Sequence, residues 1–429
     1  MVSIKLTDRL PSGEILVRLN VLELNKEINA IIVKQKLPIR EFTSPDFLVS
    51  QGKQFGINLS SEAYMFSDRA MNEWGIMISL TDSSQVINLV SRFKSNTKVK
   101  DSSTDRIRIF SFVEFNLNLC YGKDYLFLYS GKNFKQKMAR VSEAKVGGIA
   151  REWKHFLSLP VFKDEKIVAY TEGSFVQEWG LDYALFSHDN DSNDVHIKAY
   201  FHTAQDHGLN LLASQAGLPL KPTDAKAIEL HLDSSFKHQQ ILKKFMPKLM
   251  ELGKKIGFPT PLFIQAWDGN LSFREGGFVN STQRIVTTDF DEDFNPIEIT
   301  KYQHIRVPGY SILLGVNSLG STLMKSLYSK GIIRDEAGKL RFLFAPLLTM
   351  KTEKNRFQFS ASSTFPNLTL GNKNFLRWTE GKDVYYLEID SCQGQFATAH
   401  LDVSSALIIN FFHKVDKKKS LAKYKREVN

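Results

Sequence analysis

The sequence is poor in the residues that most often mark a chemistry. It has two cysteines, Cys120 and Cys392, far apart and outside any CxxC or Cys/His spacing. A disulfide-rich scaffold and a zinc site of the usual ligand pattern are therefore excluded. The two thiols are able to pair, but nothing in the sequence requires it. No apolar run approaches the ~20 residues that a membrane-spanning helix needs. The longest late run, Val403–Phe412, is broken by Ser and Asn and reads as a buried strand. There is no GxSxG, no HExxH and no catalytic cysteine context. The expectation is a chain that is not an enzyme and that needs no cofactor and no metal. Met1–Leu10 carries Lys5, Asp8 and Arg9 and lacks the apolar core of a signal peptide. That predicts a cytoplasmic protein if Met1 is the native start, and a cell-envelope protein if a leader has been removed.

What is present is ordinary in bulk. The chain has 429 residues, 42% hydrophobic and 24% charged, which fits a soluble globular protein of two or three domains. Phe is abundant, at 32 residues against 13 Tyr and 5 Trp. Two readings follow: a Phe-filled core, or an aromatic-lined pocket for an apolar ligand. The net charge is +10, and half of it lies in Lys414–Asn429. A wholly basic nucleic-acid-binding domain is thus excluded. Within that segment Lys417, Lys418, Lys419, Lys423, Lys425 and Arg426 are the candidate contacts to phosphates or to an anionic surface. The plainer reading is a solvated terminus.

Five apolar, strand-like runs end at a small polar residue and pass at once into a helical pattern. They are Ile15–Leu19, Ile76–Leu80, Tyr125–Tyr129, Ile228–Leu232 and Tyr310–Leu314, with hinges at Asn20, Asp82, Ser130, Asp233 and Asn317. Asn20 with Glu23, and Asp82 with Gln85, approximate capping boxes. The first helix should end near Lys34, before Leu37-Pro38. Pro247 predicts a kink or break near Met246 in the helix expected over Ser234–Ile256. In the fourth run Glu229 and His231 alternate with Ile228, Leu230 and Leu232, which predicts one wet face. Further strands are expected over Lys166–Thr171, Asp182–Ser187 and Val195–Thr203. A late group follows: Leu340–Pro346, Phe357–Ser363, Val384–Ile389, Phe396–Leu401 and Leu407–Phe412. Lys94–Arg106 reads as a loop or an exposed hairpin end. The five units recur irregularly, which excludes a solenoid or propeller of fixed period. The fold class is α+β, with antiparallel or mixed sheets, helices on one face and a strand-rich C-terminal part. The expected division is an N-terminal domain over 1–220, a C-terminal domain over 221–413 and a basic tail over 414–429.

Several constellations imitate known sites. Gly315–Thr322 follows a strand and opens a helix like a P-loop, but Ser321 stands where the phosphate-binding Lys belongs. It reads as a strand–helix turn. His196 and His202 share a strand face about 20 Å apart, too far for one metal ion. His202, Asp206 and His207 converge only if the chain turns there. Asp189, Asp191 and Asn193, and Asp289, Asp291, Asp293 and Asn295, have the alternate spacing of calcium loops. Both lack the Gly and Glu that such loops require, so they read as hairpin connections.

The stretch Gln54–Phe66, followed by Trp74–Phe93, resembles a family of uncharacterised Bacteroidota proteins grouped as a domain of unknown function. In that family a Gly-Ile-Asp-Leu-like turn leads into an apolar strand, then into a strand ending in Asp and a helix; here Asn58 takes the place of the Asp. Glu14–Ile32 and Asp124–Tyr129 fit the same order, and the resemblance covers roughly residues 10–210. It implies envelope proteins with a leader or lipid anchor. It implies no catalytic residue, because the family has no assigned activity.

The leading expectation is a non-catalytic binding or assembly protein, acting through protein partners or self-assembly, of the envelope type that the resemblance implies. Two alternatives stand beside it: a carrier of an apolar ligand such as a lipid, and a binder of nucleic acid or an anionic surface through the tail.

Overall fold

The computed structural model describes residues 4–404 except 35–44, 69–71, 95–96, 105–106, 160–164, 179, 192–193, 204–209, 213–214, 239, 337, 344, 363, 372 and 382. Two compact units emerge. One takes the chain up to Ala204 and from Asp402, the other Gln205–Leu401. The fold is α+β with antiparallel pairing and a strand-rich C-terminal part.

The first unit contains strands β1 (Ile15–Asn20), β2 (Glu62–Ser67), β3 (Trp74–Ser79), β4 (Val99–Thr104), β5 (Ile107–Phe112), β6 (Leu117–Tyr121), β7 (Tyr125–Ser130), β8 (Ile167–Glu172), β9 (Tyr183–Asp191) and β10 (Asp194–His202). Its helices are α1 (Leu6–Arg9), α2 (Val21–Lys34), α3 (Pro45–Gln54), α4 (Val86–Lys94), α5 (Phe134–Ser142), α6 (Arg151–Ser158) and α7 (Ser174–Gln177). Neighbouring strands pair antiparallel in the order β4-β5-β6-β7-β3-β2-β1-β8-β9-β10. Of the stretch Lys94–Arg106, expected as a loop or an exposed hairpin end, Lys94 closes α4 and Val99–Thr104 is strand β4, paired with β5.

Strand β7 is apolar on both sides, and this decides where the helices go. Phe127 and Tyr129 face Phe66, Phe134, Trp153 and Tyr170, so α5 and α6 lie against that side. Leu126 joins Phe110, Phe112 and Leu119 against Val86 and Val90 of α4. Helices therefore cover both faces here, where the apolar pattern alone points to one. The aromatic side is tightly ringed: Phe127 stacks on Phe66 and on Phe134 at centroid separations of 6.1 and 6.3 Å, distances at which ring pairs attract.

The second unit contains β11 (Gln215–Gly217), β12 (Asp224–His231), β13 (Trp267–Phe290), β14 (Pro296–Val316), β15 (Ile333–Glu336), β16 (Lys339–Phe342), β17 (Ala345–Glu353), β18 (Arg356–Ser360), β19 (Thr369–Gly371), β20 (Asn374–Glu380), β21 (Asp383–Gln393) and β22 (Phe396–Ser404) as far as Leu401. Its helices are α8 (Gln240–Lys255), α9 (Thr260–Ala266) and α10 (Gly320–Ser329). The main order is β15-β16-β17-β18-β14-β13-β12-β20-β21. A separate ribbon pairs β11 with β19.

These two orders are the same. Strand for strand, β12 takes the place of β1, β13 of β2, β14 of β3, β15–β18 of β4–β7, and β20 and β21 of β8 and β9. The chain thus carries one nine-strand connectivity twice. The duplicated hinges keep their chemistry. Asn20 Oδ1 accepts the Glu23 N–H at 3.2 Å, and Asp233 Oδ1 accepts that of Ser235 at 2.8 Å. Asp82 Oδ1 accepts Ser84 N–H and Asn317 Oδ1 accepts Leu319 N–H, both at 2.9 Å. Each carboxylate or amide satisfies a donor that a helix start leaves orphaned.

The helix ends are duplicated as well. Gly52-Lys-Gln-Phe-Gly-Ile57 closes α3, and Gly253-Lys-Lys-Ile-Gly-Phe258 closes α8. Ile57 N–H reaches Gly52 O, and Phe258 N–H reaches Gly253 O, each at 2.8 Å. Gly56 and Gly257 both have φ +69°. Both ends are Schellman caps, whose left-handed position favours glycine.

Two expectations need correction. The helix expected over Ser234–Ile256 divides into a 3-10 turn, Ser234–His238, and α8. Pro247 lies inside α8 without ending it. The stretch from Gly277 to Pro308, in which only a turn was expected, belongs to two long strands. The run Leu407–Phe412 lies outside the described residues.

The duplicated caps differ in their surroundings. A Cβ on Gly56 would stand 1.8 Å from Asp82 O, whereas one on Gly257 would meet nothing within 4 Å. Gly257→Ala should cost about 1–2 kcal/mol from left-handed strain alone. Gly56→Ala should cost clearly more, because the helix end must also move. Urea denaturation of the two variants measures the difference.

Candidate functional site

The candidate tail residues Lys417, Lys418, Lys419, Lys423, Lys425 and Arg426 lie outside the described residues. The P-loop imitation is a turn satisfied from within: Asn317 N–H donates to Ala266 O, its side-chain amide donates to Gln265 O, and Gly320 N–H donates to Asn317 O. His196 and His202 pair with separate carboxylates, Asp402 at 2.5 Å and Asp182 at 3.0 Å. Asp206 and His207 lie outside the described residues. Among the described residues no group of three or more His, Cys, Asp or Glu side chains is placed to hold a metal ion. Burial pushes both thiols up, Cys120 to about 12 and Cys392 to about 11, away from nucleophilic use.

The face of β12 that alternation marks as wet is instead the most buried. Glu229 and His231 are almost wholly enclosed. Glu229 accepts the Ser272 hydroxyl at 2.6 Å and lies 2.8 Å from His231 Nε2. Arg274 donates to Glu229 and to the carbonyls of Leu218 and Ile228. The β11–β19 ribbon supplies the lid. Gly217 and Gly371 allow its approach: a Cβ would fall 2.1 Å from Glu229 Oε1 at the first and 2.7 Å from His231 Nε2 at the second. No side-chain periodicity encodes a lid brought from two distant segments, so the sequence gives the polar side to water. Burial opposes the His231 imidazolium. Hydrogen bonds to Glu229 and Asn270, with the charges of Glu229 and Asp268, outweigh it and raise its pKa.

Beside this network, where β13 and β14 leave the sheet, lies a cavity of about 400 Å³. Lys221, Arg274, Phe278, Tyr310, Ser362 and Phe365 are among its lining residues. Arg274 is already committed to Glu229, so the lining is mixed and its buried cation is neutralised.

A second candidate surface is the arm beyond that cavity. Among the described residues β13 pairs with β12 as far as Gly276, and β14 pairs with β18 over Ser311–Gly315. From Phe278↔Pro308 to Phe290↔Pro296 the two strands pair with each other. That stretch reaches about 40 Å at ~3.3 Å per residue. Its equivalent in the first unit, β2–β3, has six-residue strands. The register places Val279, Ile285, Ile297, Ile299, Ile305 and Val307 on one face, an aliphatic stripe. The opposite face carries Phe278, Val286, Phe290 and Tyr302, all exposed, with Arg306 over the Phe278 ring at 5.0 Å.

The tip is a constructed turn, as its spacing implies. Asp291 accepts the N–H groups of Asp293 and Asn295 at 3.0 and 2.8 Å. The Asn295 backbone bond, more than any charge, draws its pKa down. Phe294 follows at φ +60° and is 84% exposed. A left-handed hairpin position ordinarily takes Gly or Asn, and a bulky side chain there is strained. Thr, Val and Ile enrichment over 282–307 was the sequence signal for this arm.

No protein-family model matches the chain, and no curated protein is similar to it. Among solved structures, crystal form III of the protein TP0453 is similar at TM-score 0.32 and 10% identity, over 47% of this chain and 80% of that one. Crystal form IV gives 0.33 and 10%, over 47% and 81%. No described helix is long and apolar enough to cross a membrane.

Glu229→Gln should destabilise the chain by about 3–5 kcal/mol, because it leaves Arg274 and His231 buried without their counter-charge. The raised His231 pKa sets a pH dependence. Its contribution is fully present below the ordinary value of 6.5 and is lost as pH rises through the folded value. Denaturation midpoints from pH 5 to 9 should show this fall in the parent chain and lose it in His231→Gln.

Proposed function

We propose that this chain is a non-catalytic binding and assembly protein whose working surface is the hairpin arm of its second unit. The observation that carries the reading is the comparison between units. The same connectivity closes with six-residue strands in the first unit, so the long extension in the second is not required by the fold. A two-stranded ribbon is marginal alone in water. Among the described residues no further strand pairs with its outer part, and it carries an apolar stripe, a form used for strand addition and for protein docking. Phe294 adds support, since strain held at an exposed position calls for a functional account. The resemblance over residues 10–210 extends the proposal to an assembly at the cell envelope. The carrier alternative has the 400 Å³ cavity to draw on, but mixed lining suits an apolar ligand poorly.

The test places a photo-crosslinking phenylalanine analogue at Phe290 in producing cells. The expected result is a protein adduct of one defined mass. A variant in which Thr282–His304 is replaced by an Asn-Gly turn should keep its melting temperature and lose any complex. Adducts to lipid alone, or none at all, would reject the reading.

A further inference from the structure

We infer that the cavity at the base of the arm is a binding site for a neutral saccharide. The comparison between units shows what is unusual about its floor. In the first unit the sheet face turned away from α4 is closed by α5 and α6 over Phe66, Phe127, Tyr129 and Tyr170. In the second unit Leu314 packs against Leu323 and Leu327 of α10, so Ser311 and Leu313 point to the other side of the sheet. The register sets Arg274, Ser311 and Ser360 in one row on that side, and Ser272, Leu313 and Gln358 in the next. Where one unit builds an apolar core, the other has a polar floor. Ser272, Arg274, Gln358 and Ser360 are all buried. Burying polar groups costs stability unless they find partners, so this floor calls for a use. Above it lies the cavity of about 400 Å³, within the range of small-molecule sites, about 300–1,000 Å³.

The lining selects the ligand by its chemistry. Arg274 lines the cavity, and its buried Nε–H finds no acceptor among the described residues. A ligand oxygen supplies one. The hydroxyls of Thr223, Ser311, Ser360, Ser362 and Thr364 line the same space and can both donate and accept. So do the rings of Phe278, Tyr310 and Phe365, whose electron-rich faces suit the C–H groups of a sugar ring. Charge narrows the choice. The two cations of the lining, Lys221 and Arg274, are balanced by Asp224 in the lining and by Glu229 paired with Arg274. An anion gains no net attraction there, and an apolar ligand would leave the hydroxyls and the Nε–H without water or partner. A neutral ring bearing many hydroxyls satisfies both the polar and the aromatic parts. The frame is already fastened: Gln358 Nε2 donates to Pro366 O at 2.9 Å and Ser360 Oγ to Thr364 O at 3.3 Å. Binding then requires little further ordering.

The experiment titrates the full chain with D-glucose, D-galactose, D-mannose, N-acetyl-D-glucosamine, maltose and cellobiose. D-glucuronate and phosphate are the charged probes, and calorimetry with saturation-transfer NMR is the readout. At least one neutral sugar should bind with a Kd of about 1 mM or tighter, and more tightly than either charged probe. Phe365→Ala removes a ring and should weaken binding about tenfold. Ser311→Leu fills the floor and should abolish it. Melting temperatures establish that each variant is folded, and Phe365, on a loop, carries the test if Ser311→Leu does not fold. Thr282–His304 lies beyond the lining, so the variant with the shortened arm should bind as the parent does; the arm and the cavity stand or fall separately. Failure of every neutral sugar to bind, tighter binding of glucuronate or phosphate, or unchanged binding in either folded variant overturns the proposal. Loss of binding with the shortened arm, which would place the sugar on the arm, overturns it as well.

Discussion

Each unit depends on one constraint: an antiparallel sheet must bury its apolar face, and the chain has to turn onto that face as a strand ends. The polar hinges do this turning. Asn20, Asp82, Asp233 and Asn317 each give a side-chain oxygen to a helix-start N–H, so the strand can stop and the helix begin within a few residues. Cores then form where the helix lands. In the first unit the central β7 is apolar on both sides, and two layers of helix follow from it. In the second, Leu323 and Leu327 of α10 occupy the role of Val86 and Val90 in α4.

Repetition of that scheme separates what the fold needs from what it merely carries. Both units use the same strand order and the same glycine-closed helix ends. The differences stand out against this background. One is the arm, a hairpin extended well past the point where neighbouring strands support it. A ribbon cannot cover its own faces, and the left-handed Phe294 at its tip is a costly choice where Gly would serve the turn better.

The other difference is the polar network beneath the β11–β19 ribbon. Burying Glu229, His231 and Arg274 together removes three ionisable groups from water. Their mutual pairing offsets much of the desolvation without making the network a strong source of stability. What it contributes is definition. The ribbon seats where two glycines meet the carboxylate and the imidazole, and a shifted register would strand a charge. The cavity at the arm's base borders this network through Arg274.

By itself the sequence determined the local grammar: the strand-to-helix hinges, the hairpin turn at Asp289–Asn295 and the α+β class. These are legible because capping, alternation and turn chemistry act over a few residues. The duplicated Gly-Lys motif was also in plain view, but only the shared strand order gives it meaning. Tertiary structure alone decided that Glu229 and His231 are buried, that helices flank both sides of β7, and that residues 278–308 stand apart as an arm. In each case the deciding partner, or its absence, is distant in sequence. Periodicity says which side chains share a face; only the assembled neighbours say whether that face is covered.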